Sequence, residues 1–328
     1  MNVGVVGAGV NGLAAARVLA QRGNDVTVYE QFAIGHTHGS SHGTSRIFRL
    51  SYPEQSWIEL AQRAYELWLE LEAETGTRVL VLDGLVDAEP STSKRLAALD
   101  ECGLAYEVLT PSEVKARFGF VYDDFDQLVF TPVAGIVLAD EAIQALAASA
   151  RAAGAEIHER HRVEDLESLP HDVVVVAAGG WAPQLLARAG VELDAQPTRQ
   201  TVAYFARRAD GPFPSVIDWP SDGSFQLYAL GAPGVGVKAG LHHSGGPTDP
   251  EQEGEPDLQR VAEVASLVER RFPQVDPTPL RAETCIYTTT SDERFVCERN
   301  GRLVIGSACS GHGFKFAPAV GEQLANLV

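Results

Sequence analysis

Val3-Gly4-Val5-Val6-Gly7-Ala8-Gly9-Val10-Asn11-Gly12, continuing through Leu13, Ala16, Leu19 and Ala20 to Arg22-Gly23 and then Asp25-Val26-Thr27-Val28-Tyr29-Glu30, decides the fold. An apolar run enters a Gly-x-Gly-x-x-Gly turn at 7, 9 and 12, a helical pattern leaves it, and a second apolar run ends in an acid. In that context the glycines serve a tight turn, the close approach of a pyrophosphate and the packing of helix on strand. Glu30 is placed to accept a hydrogen bond from an adenosine ribose, and its charge rejects a 2′-phosphate. The motif by itself does not separate NAD from FAD.

Working outward, Trp57 to Ala73 has the apolar spacing of an amphipathic helix. From Val79 to Phe130 short strands (Leu80–Leu82, Leu85-Val86) and helices (Ser93 to Glu101, and one opened at Pro111 with Ser112 as N-cap) form an insertion. Asp140 is expected to cap a helix that runs to Ala153-Gly154. Val173 to Ala178 is a fully buried parallel strand ending in the glycine turn Gly179-Gly180, where the doubly wound sheet resumes before a helix from Ala182 to Ala189. Beyond Thr198 the pattern returns to alternating strands: Thr201–Phe205, Phe225–Tyr228 and Gly234–His242. A helix from Leu258 to Phe272 interrupts them. The expected class is α/β with an α+β second domain. A Rossmann-like nucleotide domain (1–79, 137–195 and 290–328) interleaves with a mostly antiparallel substrate domain (80–136 and 196–289).

At 328 residues with a net charge of −18, the chain is poorly suited to nucleic acid or anionic membranes, whose phosphates are held by Lys and Arg. An anionic small molecule must instead meet a local cluster of cations. Cys102, Cys285, Cys297 and Cys309 have no CxxC spacing, so no zinc ribbon or disulfide framework is expected. The first residues enter a strand rather than a signal peptide, and no apolar run approaches membrane length. A cytoplasmic monomer is expected.

Three stretches outside the nucleotide motif carry chemistry. Gly35 to Glu54 sets small residues and His36, His38 and His42 before Arg46 and Arg49; if the segment is helical, both arginines share a face. The alternatives are an exposed basic turn, or a metal site, which lacks a completing Cys or carboxylate. Lys238 lies within Gly236-Val237-Lys238-Ala239-Gly240, either as a solvated edge lysine or beside a ligand plane. Ser310-Gly311-His312-Gly313-Phe314-Lys315-Phe316 follows a strand and opens a helix, which fits a phosphate loop, a nucleophile site or an ordinary turn.

Taken together, GAGVNG with Glu30, SHGTSRIFRLSYPE at 41–54, KAGLH at 238–242, CIYTTTSDERF at 285–295 and SGHGFKF at 310–316 decide among these. In their order and spacing the chain resembles the monomeric sarcosine oxidase and N-methyltryptophan oxidase family, flavoenzymes of the D-amino-acid-oxidase-like superfamily. The resemblance implies FAD, joined covalently through the Cys285 sulfur to the flavin 8-methyl group. It implies cofactor contacts from Gly7, Gly9, Gly12, Glu30, Ser41, His42, Arg46, Gly179, Gly311, Gly313, Phe314 and Lys315. Arg49 and Lys315 would hold the substrate carboxylate, and His312, His242, Tyr228 and Tyr287 would line the amine pocket. Lys238 would stand where oxygen is reduced, His42 and Arg46 would lie against the flavin ring, and Glu54 would order the loop carrying Arg49. The helix after Pro318 would aim its N-terminus at the pyrimidine end of the flavin.

The implied reaction is oxidation of a secondary (N-methyl or cyclic) amino acid: hydride leaves the α-carbon for flavin N5, an imine forms, and O2 becomes H2O2. Arg by a bidentate fork and Lys as a point charge would fix the carboxylate, and the Lys238 cation would favour superoxide as oxygen is reduced. A biosynthetic imine-forming oxidase or dehydrogenase on another amine carboxylate is a second reading. A non-catalytic flavin-binding protein is a distant third.

Overall fold

The computed structural model describes residues 1–209, 211–220 and 224–328. Its centre is the motif just quoted. Asn2–Val6 is a strand, and Gly7 turns the chain at φ +103° into the helix Val10–Gln21. A side chain at Gly12 would place its Cβ 1.9 Å from the Gly7 carbonyl oxygen. The helix can therefore sit this close to its own loop only with glycine there.

Among the described residues the strands form three sheets. The first has the order Val296–Asn300, Leu303–Ser307, Val173–Val176, Asn2–Val6, Asp25–Tyr29, Glu156–His158. All of its pairings are parallel except the first. Val173 to Val176 are buried, as a strand covered on both faces must be. The helices Val10–Gln21 and Ala317–Asn326 cross on one face. Their close approach depends on Gly321, whose Cβ would fall 2.5 Å from the Ala14 backbone.

The second sheet runs Val275–Thr290, Ala195–Arg207, Gly236–Leu241, Leu227–Ala232, Ser215–Asp218, Leu85–Ala88, Leu128–Thr131, Glu107–Leu109. It is antiparallel apart from the parallel pairing of Ser215–Asp218 with Leu85–Ala88. The third is small: Ser45–Arg49, Ala134–Leu138 and Leu80–Val81. The mixed α/β class is the one expected. No helix among the described residues is long and apolar enough to cross a membrane.

Several local expectations are corrected. Ser45–Arg49 is a strand, not a helix, so Arg46 and Arg49 leave from opposite faces. Pairing with Ala134–Leu138 outweighs any local helical preference. The helix Pro111–Phe118 is capped by Thr110, not Ser112: the Thr110 side chain accepts from Glu113 N, the Glu113 carboxylate accepts in return from Thr110 N, and Pro111 takes the first helical position. Asp140 lies in the first turn of Ala139–Ala152 rather than at its cap, and its carboxylate accepts from Gly43 N at 3.0 Å. Phe225 precedes its strand, which runs from Leu227 to Ala232.

Candidate active site

One cleft runs from the glycine turn at 7–12, between the first two sheets, to Lys238, Cys285 and Lys315. At its nucleotide end Glu30 is almost fully buried at the tip of Asp25–Tyr29. Its carboxylate accepts from Ala8 N at 2.8 Å and Phe32 N at 2.9 Å, and His36 Nε2 lies 3.6 Å away. Ser41 Oγ accepts from Val10 N at 3.1 Å, at the N-terminus of the helix. A side chain at Gly9 would come within 3.2 Å of that same oxygen. Gly179 turns at φ +53° after the buried valine strand, beside Trp181. His38 stacks on Phe32 at a centroid distance of 4.3 Å, and His36 meets the same ring tilted at 4.7 Å. Among the described residues no group of three or more metal-ligating side chains comes together.

The other end of the cleft holds cations. The chain has only four lysines, Lys94, Lys115, Lys238 and Lys315; the first two are exposed, and the last two are buried and line the cleft. Lys315 is the middle residue of the short helical turn Phe314–Phe316 and donates from Nζ to His312 O at 2.5 Å. Arg49 faces it across Tyr52, with its guanidinium 4.1 Å and Lys315 Nζ 5.7 Å from the Tyr52 ring centroid. Burial alone would raise the Tyr52 phenol, but Lys315 and then Arg49 outweigh it and hold the phenol below its ordinary range. Arg49 Nη1 has no hydrogen bond, and its nearest anion is Asp87 Oδ1 at 3.6 Å. A fully buried network fixes Asp87 in turn: Ser51 Oγ donates to it at 2.7 Å, and Arg95 lies 3.6 Å away. Arg49 is thus held in place with one donor unpaired among the described residues.

His312 and His242 flank this pair. Burial, reinforced by Lys315 and Arg49, pushes His312 well below the usual imidazole range. Burial, then His243, Arg49 and Lys315, push His242 down to about 3. Both shifts favour the uncharged ring. Gly311 is needed between them: at φ +72° its Cβ would lie 2.5 Å from both His242 and Tyr287. Burial raises the phenols of Tyr228 and Tyr287, which face one another in the same cleft.

Lys238 occupies an interior strand of the second sheet, between Ala195–Arg207 and Leu227–Ala232, which rules out the solvated edge lysine. Burial, helped by Arg46, pushes its ammonium down to about 7. Arg46 donates to Ser40 O at 2.8 Å, His42 O at 2.6 Å and Ser45 O at 2.9 Å. Its guanidinium thereby closes the 40–45 loop against the cleft, 5.7 Å from the Phe314 ring. His42 is buried with Nε2 unpartnered and is pushed down to about 4 by burial and then by Arg46. Burial raises the Cys285 thiol against the pull of Arg46 and Lys238.

The structure thus gathers Lys238, Arg46, Cys285, Tyr228, Tyr287, His242, His312, Arg49 and Lys315 into one cleft with Gly7, Gly9, Glu30, Ser41, Gly179, Gly311, Gly313 and Phe314. Gly12 sits behind the turn, and His42 is packed beside Arg46 and Lys238. Glu54 departs from expectation: its carboxylate pairs with Arg294 at 3.2 Å, and Asp87 takes the place beside Arg49. Sequence reading missed Tyr52, Asp87, Tyr204 and Glu283. Tyr52 stands inside a motif already singled out, and Asp87 is an acid in the apolar run Leu85-Val86-Asp87-Ala88. Both signals were present.

Comparison with known proteins agrees with this geometry. The peroxisomal sarcosine oxidase of Homo sapiens is 31% identical, over 98% of this chain and 90% of its own length. The monomeric sarcosine oxidase of Bacillus sp. (strain B-0618) is 30% identical over the same shares. Among solved structures, NikD, described as an unusual amino acid oxidase essential for nikkomycin biosynthesis, superimposes in its open form with a TM-score of 0.87 at 26% identity. That match covers 99% of this chain and 93% of the other. The FAD dependent oxidoreductase family matches residues 2–327, and the chain belongs to it.

Proposed function

We propose that this protein oxidises a secondary amino acid, N-methylated or cyclic, passing its electrons through FAD to O2 and releasing an imine and H2O2. The observation that carries the proposal is the buried pair Arg49 and Lys315 around Tyr52, in the same cleft as the nucleotide turn and a third buried cation, Lys238. Sarcosine oxidases among the relatives support the choice of an N-methyl amine.

The residues present fit FAD. Along the cleft, among the described residues, lie buried polar atoms without partners, Asn11 Oδ1, Thr288 Oγ1 and Ser307 Oγ, which a dinucleotide can satisfy. Gly7, Gly9 and Gly12, with the N-terminus of Val10–Gln21, would hold the pyrophosphate and Glu30 the ribose. Ser41, His42, Arg46, Gly179, Gly311, Gly313, Phe314 and Lys315 would line the remainder, and Cys285 would supply the covalent thioether. When bound, FAD accepts the hydride at N5 and gives two electrons to oxygen.

The chain's own residues do the rest. Arg49 and Lys315 bind the carboxylate and so orient the α-carbon. Their charges favour the neutral amine over the ammonium, so the amine gives up its proton to solvent as it binds. Neutral His312 and His242 crowd the amine without adding a charge. Lys238, on the other side of the cleft, stabilises negative charge as it develops on oxygen. A monomeric, cytoplasmic enzyme with its nucleotide unit at 1–79, 137–195 and 290–328 belongs to the same proposal.

A peroxide-coupled screen of sarcosine, N-methyltryptophan, pipecolate, proline and primary amino acids tests the function. Peroxide from a secondary amino acid is expected; activity confined to primary amines would overturn it. The likeness to NikD favours one second reading, an imine-forming oxidase or dehydrogenase acting on another amine carboxylate. Oxygen uptake measured against an artificial electron acceptor separates oxidase from dehydrogenase, and the substrate screen separates the amines.

A further inference from the structure

Beside Lys238 the second sheet carries polar side chains, Tyr204, Arg281 and Glu283, that the proposed reaction does not use. Tyr204 lies opposite Lys238 on one neighbouring strand and opposite Arg281 on the other. Lys238 Nζ is 5.7 Å, and the Arg281 guanidinium 4.0 Å, from the Tyr204 ring centroid. Arg281, Glu283 and Cys285 alternate along one face of Val275–Thr290, from a half-exposed guanidinium to the thiol in the cleft. Glu283 is the anion of this row. Its carboxylate accepts from the Tyr204 hydroxyl and from Arg281 Nη1, the latter at 3.0 Å. The point where a Gly43 side chain would stand is 3.5 Å from Glu283 Oε1, 3.5 Å from Arg46 Nη1 and 3.7 Å from Lys238 Nζ, so the carboxylate and the two cations surround that glycine.

Building on the oxidase reading, we propose that Glu283, held by Tyr204 and Arg281, is a positioning residue for oxygen reduction: it is the counter-anion that keeps the Lys238 ammonium charged inside the cleft. The other groups facing Lys238 are Arg46 and His42 from the segment before and within Ser45–Arg49, Arg281 and Cys285 on the strand of Glu283, Tyr204, and Tyr228 of Leu227–Ala232. The fixed charges among them, Arg46 and Arg281, repel an ammonium, and none of the others is an anion at neutral pH. Without Glu283, a desolvated lysine beside Arg46 loses its proton at lower pH. An uncharged lysine no longer stabilises the developing oxygen anion.

Because the chain has four lysines, two exposed and two in the cleft, the charge of Lys238 can be read directly. In holoenzyme carrying 13C,15N-lysine, the signal lost in Lys238→Met is followed by NMR against pH. In Glu283→Gln its titration midpoint is expected to fall by about 1–2 pH units, the size of one charge lost at several ångströms in a partly shielded site. Glu283→Asp is expected to restore it, and Tyr204→Phe to shift it in the same direction by less. Each variant is then reduced photochemically, so that no amine substrate is needed, and mixed with O2. Fast flavin reoxidation should be lost at a pH lowered by the same amount. A midpoint unmoved in both Glu283→Gln and Tyr204→Phe overturns the proposal, as does a moved midpoint that the reoxidation profile fails to follow. If Glu283→Gln does not fold, Tyr204→Phe carries the same test. A wild-type holoenzyme that does not reoxidise in O2 would sink the oxidase reading itself, and the midpoint shift would still report whether Glu283 charges Lys238.

Discussion

Replacing Lys315 by methionine removes a charge from the proposed carboxylate site while keeping the length of the side chain. The backbone around it is held independently, since the Lys315 carbonyl accepts from Trp68 Nε1 at 2.8 Å. The variant is cleaner than Arg49→Ala, which would leave Asp87 buried beside a lost partner. A carboxylate about 4 Å from an ammonium at an effective dielectric near 20 gains about 4 kcal/mol. Arg49 shares the anion and retains part of that, so a loss of about 2–4 kcal/mol, or roughly 30- to 1,000-fold in kcat/KM, is expected for a carboxylate substrate. The comparison that matters is the neutral amide of the same substrate, for which the loss should be only a few-fold. Stability opposes activity here. The buried ammonium is disfavoured by desolvation, so its removal offsets the hydrogen bond lost at His312 O, and Tm should stay within about 3 °C of the wild type. Steady-state kinetics on both substrates, with a thermal melt, check this. Equal losses for carboxylate and amide, or a collapse of Tm, would refute the role of Lys315.

Four further outcomes are expected. Acid-precipitated wild-type protein keeps its yellow colour in the pellet, whereas Cys285→Ala releases all flavin to the supernatant; free flavin from the wild type would rule out the thioether. Lys238→Met slows flavin reoxidation by O2 at least about 100-fold, the scale of one lost electrostatic donor, and leaves anaerobic reduction by the amine nearly intact. Since burial and Arg46 bring the Lys238 ammonium down to about 7, its charge is present below that pH and lost above it. Wild-type reoxidation measured by stopped flow should therefore decline as pH rises through 7, well before the usual lysine range near 10. Gly12→Ala drives a methyl into the Gly7 carbonyl oxygen, so the purified protein should carry little flavin, read from the ratio of absorbance at the flavin band to that at 280 nm.

The nucleotide half of this protein is legible because its constraints are local. A turn that admits no Cβ at Gly7 and Gly12, a strand of four consecutive valines and an acid at a strand tip are each written within a few adjacent residues. Boundaries slipped where packing rather than local preference chose the conformation. Ser45–Arg49 was open to a helix until its pairing with Ala134–Leu138 made it a strand. Thr110 displaced Ser112 as cap because its side chain and that of Glu113 satisfy each other's backbone donors.

By itself the sequence determined the dinucleotide turn, the mixed class of the fold and the motifs that carry the proposed chemistry, since each is encoded by short-range spacing and by residue types that tolerate little substitution. Only the tertiary structure decided which charges meet. Arg49 answers to Asp87 and not to Glu54, five residues away, and Lys238 lies inside a sheet and not on its edge. Glu283 reaches the Lys238 side of the cleft from a strand distant in the chain, with Ala195–Arg207 between the two. Electrostatic partnership depends on distance and burial in space, and sequence separation carries almost none of that information.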